Sequence, residues 1–154
     1  MKLYIRIMIA LGLTGVILAS CDNNKSEDPS PKEVQLSNLS GTWKASSVTV
    51  DGTDVKSDYA AFELTLSGSA NADVFAYGVT GRPKLSPWPA GGTWKFGADL
   101  NSDLVRDPGT ADELSMDYSI TGSQLTIKFS FTGIGYNSRV STSEGNWVYT
   151  FTKK

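Results

Sequence analysis

From Ser37 onward, apolar and polar residues alternate with a period of two, the pattern of strands with one buried and one wet face. Leu114, Met116, Tyr118 and Ile120 alternate with Glu113, Ser115, Asp117 and Ser119. After Thr121-Gly122-Ser123 the pattern resumes with Leu125, Ile127, Phe129 and Phe131, so the two runs predict a hairpin. Phe62, Leu64 and Leu66 form another stripe, as do Phe75, Tyr77 and Val79, then Trp94 and Phe96, and last Trp147, Tyr149 and Phe151. A weaker strand is expected around Leu104 to Arg106. The first strand changes parity, because Trp43 and Ala45 face one way and Val48 and Val50 the other. One extra residue near Ser46-Ser47 restores the phase, as a β-bulge does where a strand bends. Asp51-Gly52 then turns the chain.

About eight antiparallel strands result, and no stretch has convincing helical periodicity. The fold class is all-β, either a two-sheet sandwich or a closed up-and-down barrel. A bulged first strand and an apolar last strand able to pair with it favour closure, which leaves no exposed edge. The inward parity collects rings, Trp43, Phe62, Trp94, Phe129, Trp147 and Tyr149 among them. An eight-stranded barrel is just wide enough for side chains or one small ligand, so a small cavity or none is expected.

The N-terminus reads differently. Lys2 and Arg6 precede an apolar run from Ile7 to Leu18, too short for the ~20 residues of a membrane span but the size of a signal-peptide core. Leu18-Ala19-Ser20-Cys21 resembles the lipobox of bacterial lipoproteins. That resemblance implies that residues 1–20 are a signal peptide and that Cys21 becomes the lipidated N-terminus, anchored in the cell outer membrane. Asp22 resembles an inner-membrane retention signal and Glu27-Asp28 a surface-export signal, so periplasmic and surface display both stay open. Residues 21–36, polar and interrupted by Pro29 and Pro31, read as a flexible tether, and 37–154 as one domain.

Composition narrows the chemistry. There is no histidine, and Cys21 is the single cysteine, so its lipidation leaves no thiol for a disulfide, a nucleophile or a metal. Fourteen Lys and Arg, less Lys2 and Arg6, against sixteen acidic residues leave four net negative charges beyond the signal. That balance offers no basic face for nucleic acid. Acid–base catalysis without histidine needs paired carboxylates, yet Glu113 and Asp117 lie on outward parity. The chain is read as not an enzyme, a carboxylate-based hydrolase being the remote alternative. Asp99, Asn101 and Asp103 alternate like a calcium loop, but Leu104 and Thr110 stand where an EF-hand needs Gly and Glu. A loop turning through its own Asx hydrogen bonds is expected instead, with no metal and no cofactor.

Two loops carry the candidate contact residues. Gly81 to Gly92 holds Arg82, Lys84 and Trp88 on a backbone stiffened by Pro83, Pro87 and Pro89, and Thr132 to Gly145 holds Tyr136 and Arg139. Cations beside a tryptophan suit sugars or proteins. Alternatively, Trp88 packs on its own barrel as a plug.

Gly41-Thr42-Trp43 resembles the Gly-x-Trp signature of lipocalins. More closely, the chain resembles the lipocalin-like domains of Bacteroidetes lipoproteins, through Leu39 to Lys44, Val50 to Val55, Phe62 to Leu66, Trp88 to Phe96 and Tyr149 to Lys153. The resemblance implies a calycin-like barrel, and most such domains have no assigned activity. Lipocalins commonly lay an arginine of the last strand over the first-strand tryptophan, and here only Lys153 and Lys154 stand near that place. The expected function is a membrane-anchored, non-enzymatic binding or interaction module for a small apolar or glycan-like ligand or an envelope protein. The alternative is a purely structural or protein-interaction domain of an envelope complex, with a filled core.

Overall fold

Strand β1 (Gly41–Val50) is paired along both edges, and that makes the sheet a barrel. The computed structural model describes residues 28–136 and 143–154, so the signal peptide, Cys21 and Arg139 lie outside the described residues. After β1 come β2 (Thr53–Asp54), β3 (Glu63–Ser67), β4 (Phe75–Thr80), β5 (Gly91–Phe96), β6 (Asp103–Arg106), β7 (Leu114–Thr121), β8 (Gln124–Phe131) and β9 (Gly145–Lys153). β1 pairs antiparallel with β3, each of β3 to β8 pairs antiparallel with the next, and β9 returns to β1 from Trp43↔Lys153 to Val50↔Trp147. Eight strands close an up-and-down barrel, and the sandwich alternative falls away. β2 is a small spur, folded back on β1 through Asp51 and Gly52, both at positive φ (47° and 79°). The parity change in β1 is a bulge, for the β1–β9 register shifts between Ala45 and Ser47.

One end of the barrel is sealed by a helix that the tether reading did not foresee. Helix α1 (Pro31–Leu39) occupies residues assigned to the flexible segment and the domain's first turn. Its start is written locally. Ser30 caps the Glu33 amide, the Glu33 carboxylate accepts from the Ser30 N–H, and Pro31 pre-sets the first helical φ. Leu36 and Leu39 turn into the barrel base. Gln35 Nε2 donates to the Tyr118 hydroxyl, and Lys32 Nζ donates to Ala72 O while lying 5.6 Å over the Phe75 ring. The tether reading therefore fails from Pro31 onward, since two buried leucines and a closed capping box give the segment a fixed place.

Trp43 is fully buried just above α1, its Nε1 donating to Leu39 O at 2.7 Å. Lys153 Nζ stands 5.1 Å over its ring and donates to Asn38 O. Above this seal the interior is packed with rings around Tyr149, whose centroid lies within 6.1 Å of Tyr59, Phe62, Trp88, Phe129, Trp147 and Phe151. Aromatic contacts at such spacings contribute about 0.5–1.5 kcal/mol beyond area burial, so this column adds to what burying the core supplies.

Trp43→Ala should therefore cost about 3–5 kcal/mol. Lys44→Ala, one residue on and exposed, should change stability by no more than about 0.5 kcal/mol. A urea titration of both variants checks this, and equal effects would overturn the facing of β1.

Candidate functional site

Antiparallel order sends four connections to the end opposite α1: residues 51–62, 81–90 and 107–113, and the β8–β9 connection, described at 132–136 and 143–144. The two loops singled out from sequence meet there. The Tyr136 N–H donates to Ser86 O at 2.9 Å, tying one loop to the other.

The centre of this mouth is Trp88, and its role is the reverse of an exposed contact. It is 1% exposed and inserts among Phe62, Tyr77, Phe129 and Tyr149. The proline-stiffened loop drives it inward as a plug, because the barrel top offers the apolar ring cluster that the loop lacks. Arg82 is half-buried and donates from Nη1 to Trp88 O at 2.9 Å, holding the plug rather than reaching outward. Lys84 is exposed, as is its neighbour Leu85 at 42%. Tyr136 is half-buried. Arg139 cannot be placed on either loop, being outside the described residues.

Beneath Tyr136 lies a charged group that sequence reasoning did not single out. Arg106, the last residue of β6, is 1% exposed. Its guanidinium is sandwiched between the Trp88 and Tyr136 rings, 5.4 Å from each centroid. Nη1 donates to Pro87 O at 2.8 Å and Nη2 to the Tyr136 hydroxyl at 3.1 Å. Asp107 supplies the counter-charge, with Oδ2 3.3 Å from Arg106 Nε. The same carboxylate accepts from the Tyr77 hydroxyl (2.8 Å) and the Thr93 N–H (3.0 Å). A charge can be buried this deeply only when paired and hydrogen-bonded on most sides. This network is structural in kind, and among the described residues Asp107 is the one buried carboxylate.

Two depressions lie at the mouth and a third on the outer wall. Strands β7 and β8 pair only from Asp117↔Lys128 down to Thr121↔Gln124, so their mouth halves diverge. One groove of about 510 Å³ opens above this divergence, lined by Arg106, Asp112, Glu113, Phe131, Ile134 and Tyr136. A second, of about 530 Å³, runs down the outer wall beside Ser115, Asp117, Lys128 and Ser130. A smaller and more apolar pocket of about 230 Å³ lies across the mouth, between the 3₁₀ turn Lys56–Tyr59, the loop at Pro83 and Leu85, and the start of β9. The calcium-like loop is elsewhere, at the base. There Asp99 Oδ1 accepts from the Asn101 N–H in an Asx turn of the kind expected, and Asp103 Oδ2 reaches back to the Asp99 N–H and closes the loop.

Comparison of the chain with known protein families, curated proteins and solved structures finds no match.

Two predictions follow from this packing. Trp88→Ala should destabilise the domain by about 3–5 kcal/mol, as truncating a buried ring does. A melting temperature unchanged within about 1 °C would overturn the plug assignment, since even 1 kcal/mol moves a domain of this size by several degrees. The second concerns alkali. Burial raises the phenol pKa of Tyr59, Tyr77, Tyr118, Tyr136 and Tyr149 above the usual value near 10. The unfolded chain releases those protons near pH 10 while the folded chain keeps them. Stability should thus be full below about pH 10 and fall above it, by about 1.4 kcal/mol per pH unit for each tyrosine held neutral. Urea titrations from pH 8 to 11.5 check the sign, and Tyr149→Phe should flatten the fall.

Proposed function

We propose that this chain is a lipid-anchored, non-enzymatic binding or interaction module of the lipocalin-like kind, held at the outer membrane and meeting its ligand or partner at the barrel mouth. The observation that carries the reading is the filled interior. Trp43, Phe62, Trp88, Tyr149 and Phe151 occupy the space in which a wide-mouthed barrel would hold a lipid. Recognition then falls to the mouth loops, where Leu85 and Ile134 are 42% and 58% exposed beside the depressions.

The lipocalin likeness is supported by the closed eight-stranded barrel and by Trp43 opening β1. Lys153 covers that ring where lipocalins commonly use arginine. Fold likeness alone warrants no ligand. Anchoring rests on Leu18-Ala19-Ser20-Cys21. With α1 starting at Pro31, about nine residues separate Cys21 from the base, a reach of roughly 30 Å at about 3.3 Å per residue. The same filled core favours a second reading, a structural or protein-interaction domain of an envelope complex without a small ligand.

Cys21→Ser should release the protein from the membrane fraction or leave its signal uncleaved. Stable anchoring takes two acyl chains, each buried CH₂ contributing about 0.8 kcal/mol. A Ser variant that fractionates with membranes and matures normally would overturn the anchor.

A further inference from the structure

The small mouth pocket has a composition that selects a ligand. Its walls are Val50, Val55, Pro83 and Leu85, with edges of Tyr59 and Trp147 behind them. Tyr59 and Trp147 are 2% and 5% exposed, so the walls are fixed by the core. The Tyr59 hydroxyl is committed to Leu85 O at 3.1 Å, and the Trp147 indole N–H to Ser143 O at 2.9 Å. Ser143 also lines the pocket and is 4% exposed, but its hydroxyl is closed to solvent and lies against Gly135, where a Cβ would meet it at 2.5 Å.

The rim is acidic. Asp58 and Glu144 line the opening, both exposed, and among the described residues neither is within ion-pair distance of a cation. The nearby cations turn elsewhere, Lys56 Nζ to Tyr59 O and Arg82 to Trp88 O. At about 230 Å³ the pocket is smaller than the roughly 300–1,000 Å³ of sites for drug-sized ligands. It is sized for a single ring or a short branched chain.

We propose that this pocket binds a small amphiphilic organic cation. The protonated amine meets Asp58 and Glu144 at the rim, and the apolar body lies between Val55 and Leu85. The assignment rests on the reading of the chain as a binding module with its recognition surface at the mouth, and it names the ligand class that reading leaves open. Apolar walls with few convergent polar groups are the usual make-up of a small-molecule site. The carboxylates supply the sign preference that the walls lack.

The test is calorimetry on the purified full chain with three probes of similar size: 2-phenylethylammonium, its 4-hydroxy derivative and 3-phenylpropionate. The ammonium probe should bind with a Kd between about 10 µM and 1 mM, the range of efficient ligands of this size. The propionate should bind at least about tenfold more weakly, because its charge opposes the rim. The 4-hydroxy derivative should bind more weakly than its parent, because the apolar walls leave its hydroxyl without a partner. Asp58→Asn with Glu144→Gln, both at exposed positions that leave the core untouched, should weaken both amines about tenfold. Equal binding of amine and propionate, no binding of either amine at about 10 mM, or affinities unmoved by the rim double variant would each overturn the proposal. Because the titration does not depend on the anchor, its failure leaves the Cys21 result standing. Release of Cys21→Ser likewise neither makes nor breaks the ligand assignment.

Discussion

Eight strands closed into a barrel fix the interior width, and whatever lies within must fit it. Side chains fill such a cylinder without a gap only if large residues face inward from most strands. Here the filling is aromatic, with Tyr149 at its centre and Phe129, Trp147 and Phe151 stacked along it at 5.8–5.9 Å. The packing is satisfied unevenly. Near the base every indole has a partner, Trp43 giving its N–H to Leu39 O and Trp94 to Ala76 O. Trp88 Nε1, Ser143 Oγ and Tyr149 OH, toward the mouth, have none among the described residues. Each unpartnered group costs on the order of 1–3 kcal/mol. A fold concentrates such local losses where another requirement competes with stability, and that places the competing requirement at the mouth.

The base shows the opposite economy. Helix α1 has few apolar residues, and an isolated helix of its length is marginal in water. It persists because Leu36 and Leu39 enter the barrel, Lys32 bonds to the β3–β4 connection and Lys153 spans from Trp43 to Asn38 O. Closing the base this way removes one of the barrel's two openings and separates the two ends by role. One end leads to the chain's N-terminal segment, and the other gathers the long loops.

Much of the fold was legible because strand parity is a local property. The β7–β8 hairpin, the bulge near Ser46 and the Asp51-Gly52 turn all follow from residues within a few positions of one another. Helix α1 was also written locally, in Ser30-Pro31-Lys32-Glu33, but its polar composition pointed to a tether and masked the capping box. The mouth was legible only in part. Arg106 shares its parity with Leu104, which faces the core, so an inward arginine was deducible. Its partners, Pro87 O, Tyr136 and the Trp88 ring, come from two other loops, and nothing local announces them. The burial of Trp88 is equally long-range, for its loop reads as exposed until the barrel supplies a cavity for the ring. The small pocket escaped notice for the same reason. Tyr59, Leu85 and Ser143 are far apart in the chain and carry no shared motif.

Gly41-Thr42-Trp43, Gly92-Thr93-Trp94 and the looser Gly145-Asn146-Trp147 show why a motif does not transfer a role. Gly41 and Gly145 open β1 and β9 at φ of 129° and 140°, angles that side chains rarely adopt, so both are glycine for backbone reasons. Gly92 has no such angle. A Cβ there would collide with Asp107 Oδ1 and the Tyr77 hydroxyl, so it is glycine to let the Arg106–Asp107 network approach the backbone of β5. The tryptophans diverge as well. Trp43 lies beneath a lysine at the sealed base, Trp94 packs on Phe75 and Phe96, and Trp147 backs the small pocket at the mouth. One string thus meets three separate demands, for an unusual backbone angle, for space beside a buried charge and for a rigid wall. Only the geometry of each site tells which demand applies.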